Sequence, residues 1–331
     1  MSLNKQVLCE IAFWVKFSEC YPSFMPIDEG ERNRMKSWIA IYDFITHSNM
    51  SFDCSGGHFY ELAKNDPYLL SIWKQSTDGC IELEFDGHFR DTAQALSHKP
   101  FSLLFTQNGK GPQSKKYGVI NLNSGNCLTK YDLFRINGVA MRRGEPWDWN
   151  SIRKIIPENA SNSMVIVDNY VLKNAVFDLP HIINLLLPEE CAIGYHLTII
   201  YYSGNGAKIG RDDIMNILKE KKPNLVDNIE LEIVSTVDPT DFHDRTIITN
   251  NIYISSKGGF DISRWDRETR TNVARRSTSI EVAYPDFVKA DHIVQEYVNL
   301  IMDAKEALSH SCITSHNRLL SDDYLSSITS R

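Results

Sequence analysis

The run Met164-Val165-Ile166-Val167-Asp168 decides how the second half of this chain is read. Four consecutive apolar residues ending on a carboxylate are the pattern of a strand covered on both faces, because a half-exposed strand would alternate. Working outward, a helical pattern over 179–187 leads to a second strand pattern over Tyr195–Tyr202. The polar loop 203–210 opens a helix over Arg211–Lys221, and the run 229–234 (Ile-Glu-Leu-Glu-Ile-Val) supplies a third strand. Strand, helix, strand, helix, strand predicts neighbouring parallel strands joined by crossover helices. A final helix is expected over 285–308, with Val288, Ile293, Val294, Tyr297, Ile301 and Met302 on its apolar face. The serine-rich residues 311–331 read as a flexible tail.

Upstream the pattern is less regular. Residues 4–16 and 29–46 read as helices, the second from its acidic start to the stripe of Trp38, Ile39, Ile41, Tyr42 and Ile45. A helix is expected over 60–74 and strands over 80–85, 101–105, 117–122 and 132–136. Residues 1–150 are therefore expected to form a mixed α/β or α+β domain. The connector 147–163 holds Pro157 and the polar run 159–163, which places the boundary there and the second domain at 151–310.

Bulk properties narrow the function. With 331 residues the chain can bury two ordinary cores. Its net charge of −7 offers no global attraction to nucleic acid or anionic membrane, so any anion site must be a local patch. The seven cysteines are odd in number, scattered, and never in a C-x-x-C pair, which predicts reduced thiols in a cytoplasm and neither a disulfide framework nor a metal site. No signal-peptide pattern opens the chain, and no apolar run is long enough for a transmembrane segment. Nothing points to a cofactor.

The chemistry-bearing stretch is 242–261, Phe242-His243-Asp244-Arg245 through Lys257-Gly258-Gly259-Phe260-Asp261. Two apolar runs, 246–248 and 252–254, joined by Asn250-Asn251, predict a hairpin. The spacing resembles the phospholipase D pattern of His, any residue, Lys, four residues, Asp, followed by a glycine-containing turn. Such chemistry uses an imidazole nucleophile, a fixed cation on the phosphate and a carboxylate that orients the ring. Here those positions hold His243, Arg245 and Asn250. The fit is closer to the C-terminal phospholipase D-like domain of MIT-domain proteins, whose His-Asp-Arg, asparagine-rich turn and glycine-hydrophobic-Asp segment resemble His243-Asp244-Arg245, Asn250-Asn251 and Gly258-Gly259-Phe260-Asp261. Residues 165–172 resemble that family's first strand. The first 150 residues do not resemble a three-helix MIT bundle.

The resemblance, over about 164–308, implies a parallel or mixed sheet flanked by helices and a ligand pocket built from His243, Asp244, Arg245, Lys257, Gly258, Gly259, Asp261 and Asp168. Arginine keeps a bidentate grip on phosphate, but asparagine withholds the charge that stabilises an imidazolium. The expected function is a degenerate, non-catalytic accessory or interaction module in a bacterial defence type of system. It would recognise a protein partner or a phosphate-containing ligand (nucleic acid, nucleotide or lipid head group). The alternative is a metal-independent phosphodiesterase or nuclease, which would pair two copies of His243 in a homodimer, since no other histidine begins a second motif. A third class is a structural adaptor in which the first domain does the work. His243 reads equally as structural, and Asp168 as a cap for the following turn. The arginines 264, 267, 270, 275 and 276 read as a solvated face or a basic rim. The loop 203–210 reads as an ordinary turn, and Asp53, Cys54 and His58 carry no supporting pattern.

Overall fold

A computed structural model describes residues 3, 6–21, 25–46, 49–77, 81–82, 101–107, 112–174, 177–236, 245–288, 290–310 and 313–329. Two compact units are present, one over Leu3–Phe134 together with the residues from Ser327 on, and the other over Arg135–Ser326.

In the first unit five strands form one sheet: β1 (Gln6–Cys9), β2 (Asn49–Phe52), β3 (Ile81–Glu82), β4 (Phe101–Thr106) and β5 (Ile120–Asn123). Their order is β3-β2-β1-β4-β5 and every neighbouring pair is parallel. The helices are α1 (Ile11–Glu19), α2 (Glu29–Thr46), α3 (Gly56–Ala63) and α4 (Pro67–Thr77). Helix α2 is the one expected. The helix expected over 4–16 is instead strand β1 followed by α1, because Val7-Leu8-Cys9 is a short apolar run that periodicity cannot assign. Its pairing with both β2 and β4 settles it as the central strand. The helix expected over 60–74 is broken between α3 and α4, where Asp66 Oδ1 accepts the Tyr68 and Leu69 N–H groups ahead of a new first turn. The strand expected over 132–136 is a 3-10 turn, Tyr131–Phe134, whose Leu133 N–H bonds the Lys130 carbonyl. An aromatic core joins α1 to α2: the Phe17 and Trp38 rings stack at 5.1 Å, and Trp38 Nε1 donates to the Phe17 carbonyl at 3.1 Å.

The second unit holds a seven-stranded mixed sheet in the order β6-β14-β11-β10-β7-β8-β9. Its strands are β6 (Asn137–Met141), β7 (Ser163–Val167), β8 (Tyr195–Tyr202), β9 (Ile229–Thr236), β10 (Arg245–Thr249), β11 (Tyr253–Ser256) and β14 (Thr278–Ala283). β7, β8 and β9 are parallel neighbours, as their sequence pattern required, and every residue of β7 is buried. β10 and β11 form the expected antiparallel hairpin, and β10 lies antiparallel to β7. A separate two-stranded ribbon pairs β12 (Ser263–Asp266) with β13 (Thr271–Ala274). The flanking helices include α5 (Leu179–Leu186), α6 (Arg211–Lys221) and α7 (Asp291–His310). Helix α7 begins later than Pro285: residues 285–287 turn, with Phe287 N–H bonded to the Tyr284 carbonyl, and Met302 faces solvent at 51% exposure rather than the core.

The unit division falls before the connector 147–163, not within it. Strand β6 lies N-terminal to that connector and closes the sheet edge against β14, and the Trp147 N–H bonds the Asn272 carbonyl. The polar run is tied into the unit: Asn159 Nδ2 donates to the Leu185 carbonyl, and the Ala160 carbonyl accepts from Asn251 Nδ2, both at 2.6 Å. The expected loose tail is also docked. Asn317 Nδ2 reaches the Met164 carbonyl at 3.1 Å and Thr198 Oγ1 at 3.0 Å, and Arg318 donates to the Gly194 carbonyl at 2.9 Å. A helix, α8 (Asp322–Thr329), follows. Among the described residues no helix is long and apolar enough to cross a membrane.

Candidate anion site

The site forms where β7 ends beside the start of β10. Thr246 pairs with Val167, so Arg245 lies next to Asp168 across the ladder. Asp168 is buried; its Oδ1 accepts the Tyr170 N–H and its Oδ2 the Phe260 N–H, each at 2.7 Å. The Arg245 guanidinium lies 5.9 Å from the Tyr170 ring centroid, within reach of a cation–π contact. Gly259 has φ +82, and a Cβ there would stand 3.0 Å from Asp168 Oδ2. Gly258 would place a Cβ 2.7 Å from Thr278 Oγ1. Gly259 lets the backbone pass tightly over the Asp168 carboxylate and Gly258 lets it pass over Thr278, on the way to Asp261.

Asp261 is buried, with Oδ2 3.1 Å from Arg275 and 3.3 Å from Arg276. Beneath it, fully buried Asp178 accepts four hydrogen bonds: Trp149 Nε1 at 2.8 Å, Ile262 N–H at 2.8 Å, Ser263 N–H at 3.1 Å and Ser263 Oγ at 2.6 Å. Burial pushes the Asp168 carboxyl above its ordinary range, against the Phe260 and Tyr170 hydrogen bonds and the charges of Arg245 and Arg276. Asp261 is likewise raised by burial, with Arg275 opposing and Asp178 reinforcing the shift. Four buried polar atoms here have no partner among the described residues: Arg245 Nε, Arg275 Nε, Asp261 Oδ1 and Thr278 Oγ1.

No protein-family model matches this chain, and no curated protein matches it significantly. The site therefore stands on its own geometry.

Of the residues singled out from sequence, the structure gathers Asp168, Arg245, Gly258, Gly259 and Asp261. Lys257 is exposed beside them. His243 and Asp244 lie outside the described residues. Asn250 is not gathered in: it follows the far end of β10, where its Oδ1 accepts the Asn162 N–H at 2.9 Å. Five residues of extended chain put it roughly 16 Å from Arg245.

Asp178, Tyr170 and Thr278 were not legible as site residues, because Asp178 stands just before a helix, where an acid is ordinary capping chemistry. Arg275 and Arg276 were seen only as part of a basic cluster. Cys54 is pushed up to about 12 by burial and by Asp53, so it offers no thiolate. Asp53 accepts the Ile11 N–H at 2.8 Å. The loop 203–210 bonds its surroundings, through Ser203 Oγ to the Thr236 carbonyl and Lys208 N–H to the Leu172 carbonyl. Among the described residues no group of three or more His, Cys, Asp or Glu side chains could hold a metal ion.

Proposed function

We propose that the second unit is a degenerate phospholipase D-like module that recognises a phosphate-bearing ligand through Arg245, Arg275 and Arg276 without cleaving it, as an accessory protein. The observation that carries this reading is the group of buried, unpartnered donors on Arg245, Arg275 and Thr278. A buried polar group left unbonded costs about 1–3 kcal/mol, so three such donors in one site argue for an acceptor-rich ligand that satisfies them. Three guanidiniums stand among three buried carboxylates, Asp168, Asp178 and Asp261, and the unpartnered Nε groups of Arg245 and Arg275 are donors suited to an anion. Asn250 lies at the other end of its strand and supplies no orienting charge near Arg245.

Calorimetric titration with pyrophosphate tests the reading. Arg245→Ala and Arg276→Ala are each expected to weaken binding by about tenfold or more, the scale of a charge-assisted hydrogen bond. Phosphodiester turnover is expected to be negligible, with or without chelator. Rapid metal-independent cleavage that His243→Ala abolishes would replace this proposal with a dimeric nuclease.

A further inference from the structure

The β12–β13 ribbon has features that the anion pocket does not use. Trp265 is 54% exposed. Directly opposed residues of an antiparallel pair share a face, so Trp265 stands with Asn272, its cross-strand partner, and with Ser263 two residues away. Asn272 and Ser263 line a cleft of about 550 Å³ together with Trp147, Asp148, Trp149 and His181. The Trp147 indole N–H is buried without a partner among the described residues. An exposed indole thus stands on the same face as a polar, aromatic-walled cleft.

Charges of both signs surround it: Glu268 is exposed and Asp148 lines the cleft. Arg264, Arg267 and Arg270 are exposed. Asp266 is occupied in the turn, its Oδ1 accepting the Glu268 and Thr269 N–H groups at 2.9 and 3.1 Å. Arg270 has φ +54, a left-handed conformation that a glycine would adopt freely. Arg270 holds its guanidinium exposed at that turn. Arg275 and Arg276 follow at the base of the same ribbon, on Asp261.

We propose that this ribbon and its cleft bind single-stranded nucleic acid, a base stacking on Trp265 and phosphates held by Arg267 and Arg270. The proposal rests on the anion-site reading, since the strand's backbone would continue to Arg275 and Arg276. Exposed aromatic surface interleaved with arginine is the chemistry of sequence-tolerant single-strand recognition. A lipid surface fits less well: one indole flanked by guanidiniums makes a poor membrane wedge, and a concave cleft suits a base or sugar rather than a flat bilayer.

The experiment is fluorescence anisotropy on the full chain with a labelled oligo-dT of roughly 15 nucleotides, the upper range of single-strand site sizes. Trp265→Ala is expected to weaken binding at least about fivefold, and Trp265→Phe to restore most of it, because stacking needs any flat ring. The double variant Arg267→Ala, Arg270→Ala is expected to flatten the logarithmic salt dependence by about 1.4. Pyrophosphate titration should be unchanged in these variants. Retained pyrophosphate binding without oligonucleotide binding, or binding only to phosphatidylserine vesicles, would overturn the nucleic-acid proposal alone. Loss of both ligands in the unaltered protein would overturn the anion site as well.

Discussion

Trp149 donates its indole N–H to Asp178 at 2.8 Å, and that bond ties the segment before β7 to the residues that present Asp261. The same carboxylate takes two backbone N–H groups and the Ser263 hydroxyl. Asp178→Ala would leave these buried donors unpaired at about 1–3 kcal/mol each, so a loss of at least about 3 kcal/mol is expected. Urea unfolding measures it; a change under about 0.5 kcal/mol would contradict the role assigned to Asp178.

Gly259 has no alternative at its position. Its φ of +82 disfavours any side chain, and a Cβ would sit 3.0 Å from Asp168 Oδ2. Gly259→Ala is expected to cost about 1–3 kcal/mol and to weaken pyrophosphate binding by displacing Asp168 against Arg245. Thermal unfolding and the same titration report the two effects separately.

The buried carboxylates set a pH dependence with a definite sign. Asp168 and Asp261 are both raised above the ordinary 3.8, so the folded chain holds their protons to higher pH than the unfolded chain does. Their contribution to stability is therefore most favourable below 3.8 and is lost as pH rises through the raised values. Protonation also removes negative charge beside Arg275 and Arg276. Affinity for sulfate, which does not titrate here, is expected to rise as pH falls from neutrality through that window. Asp261→Asn should reduce the dependence, and a flat profile in the unaltered protein would refute it.

The connector invites a proteolysis test. Although 157–163 has the composition of a linker, Ala160, Ser161 and Ser163 are fully buried and their neighbours are bonded to α5 and to the β10–β11 turn. Native digestion is expected to leave 157–163 intact. A fragment beginning at Ile152 would lack β6 and leave the β14 edge bare, so it should aggregate more readily than one beginning at Arg135. Light scattering compares the two fragments.

Local physics wrote a large part of this protein in its sequence. β7, β8, β9, the β10–β11 hairpin, α2 and α6 were all legible, since unbroken apolar runs, alternation and turn residues act over a few neighbours. So was the approach of Arg245, Gly259 and Asp261, which sit within one short stretch. The rest belonged to tertiary structure. Val7-Leu8-Cys9 became a central strand only because two distant strands flank it. The run 159–163 and Asn317 became buried because carbonyls remote in sequence accept their amides. Asn250 follows Arg245 by five positions, yet a strand's rise carries it to the opposite end of the sheet. Asp178, Arg275 and Arg276 meet Asp261 only through the packing of the whole unit. Partners separated by tens of residues leave no local pattern, and buried polar groups find them through the packing of the whole unit.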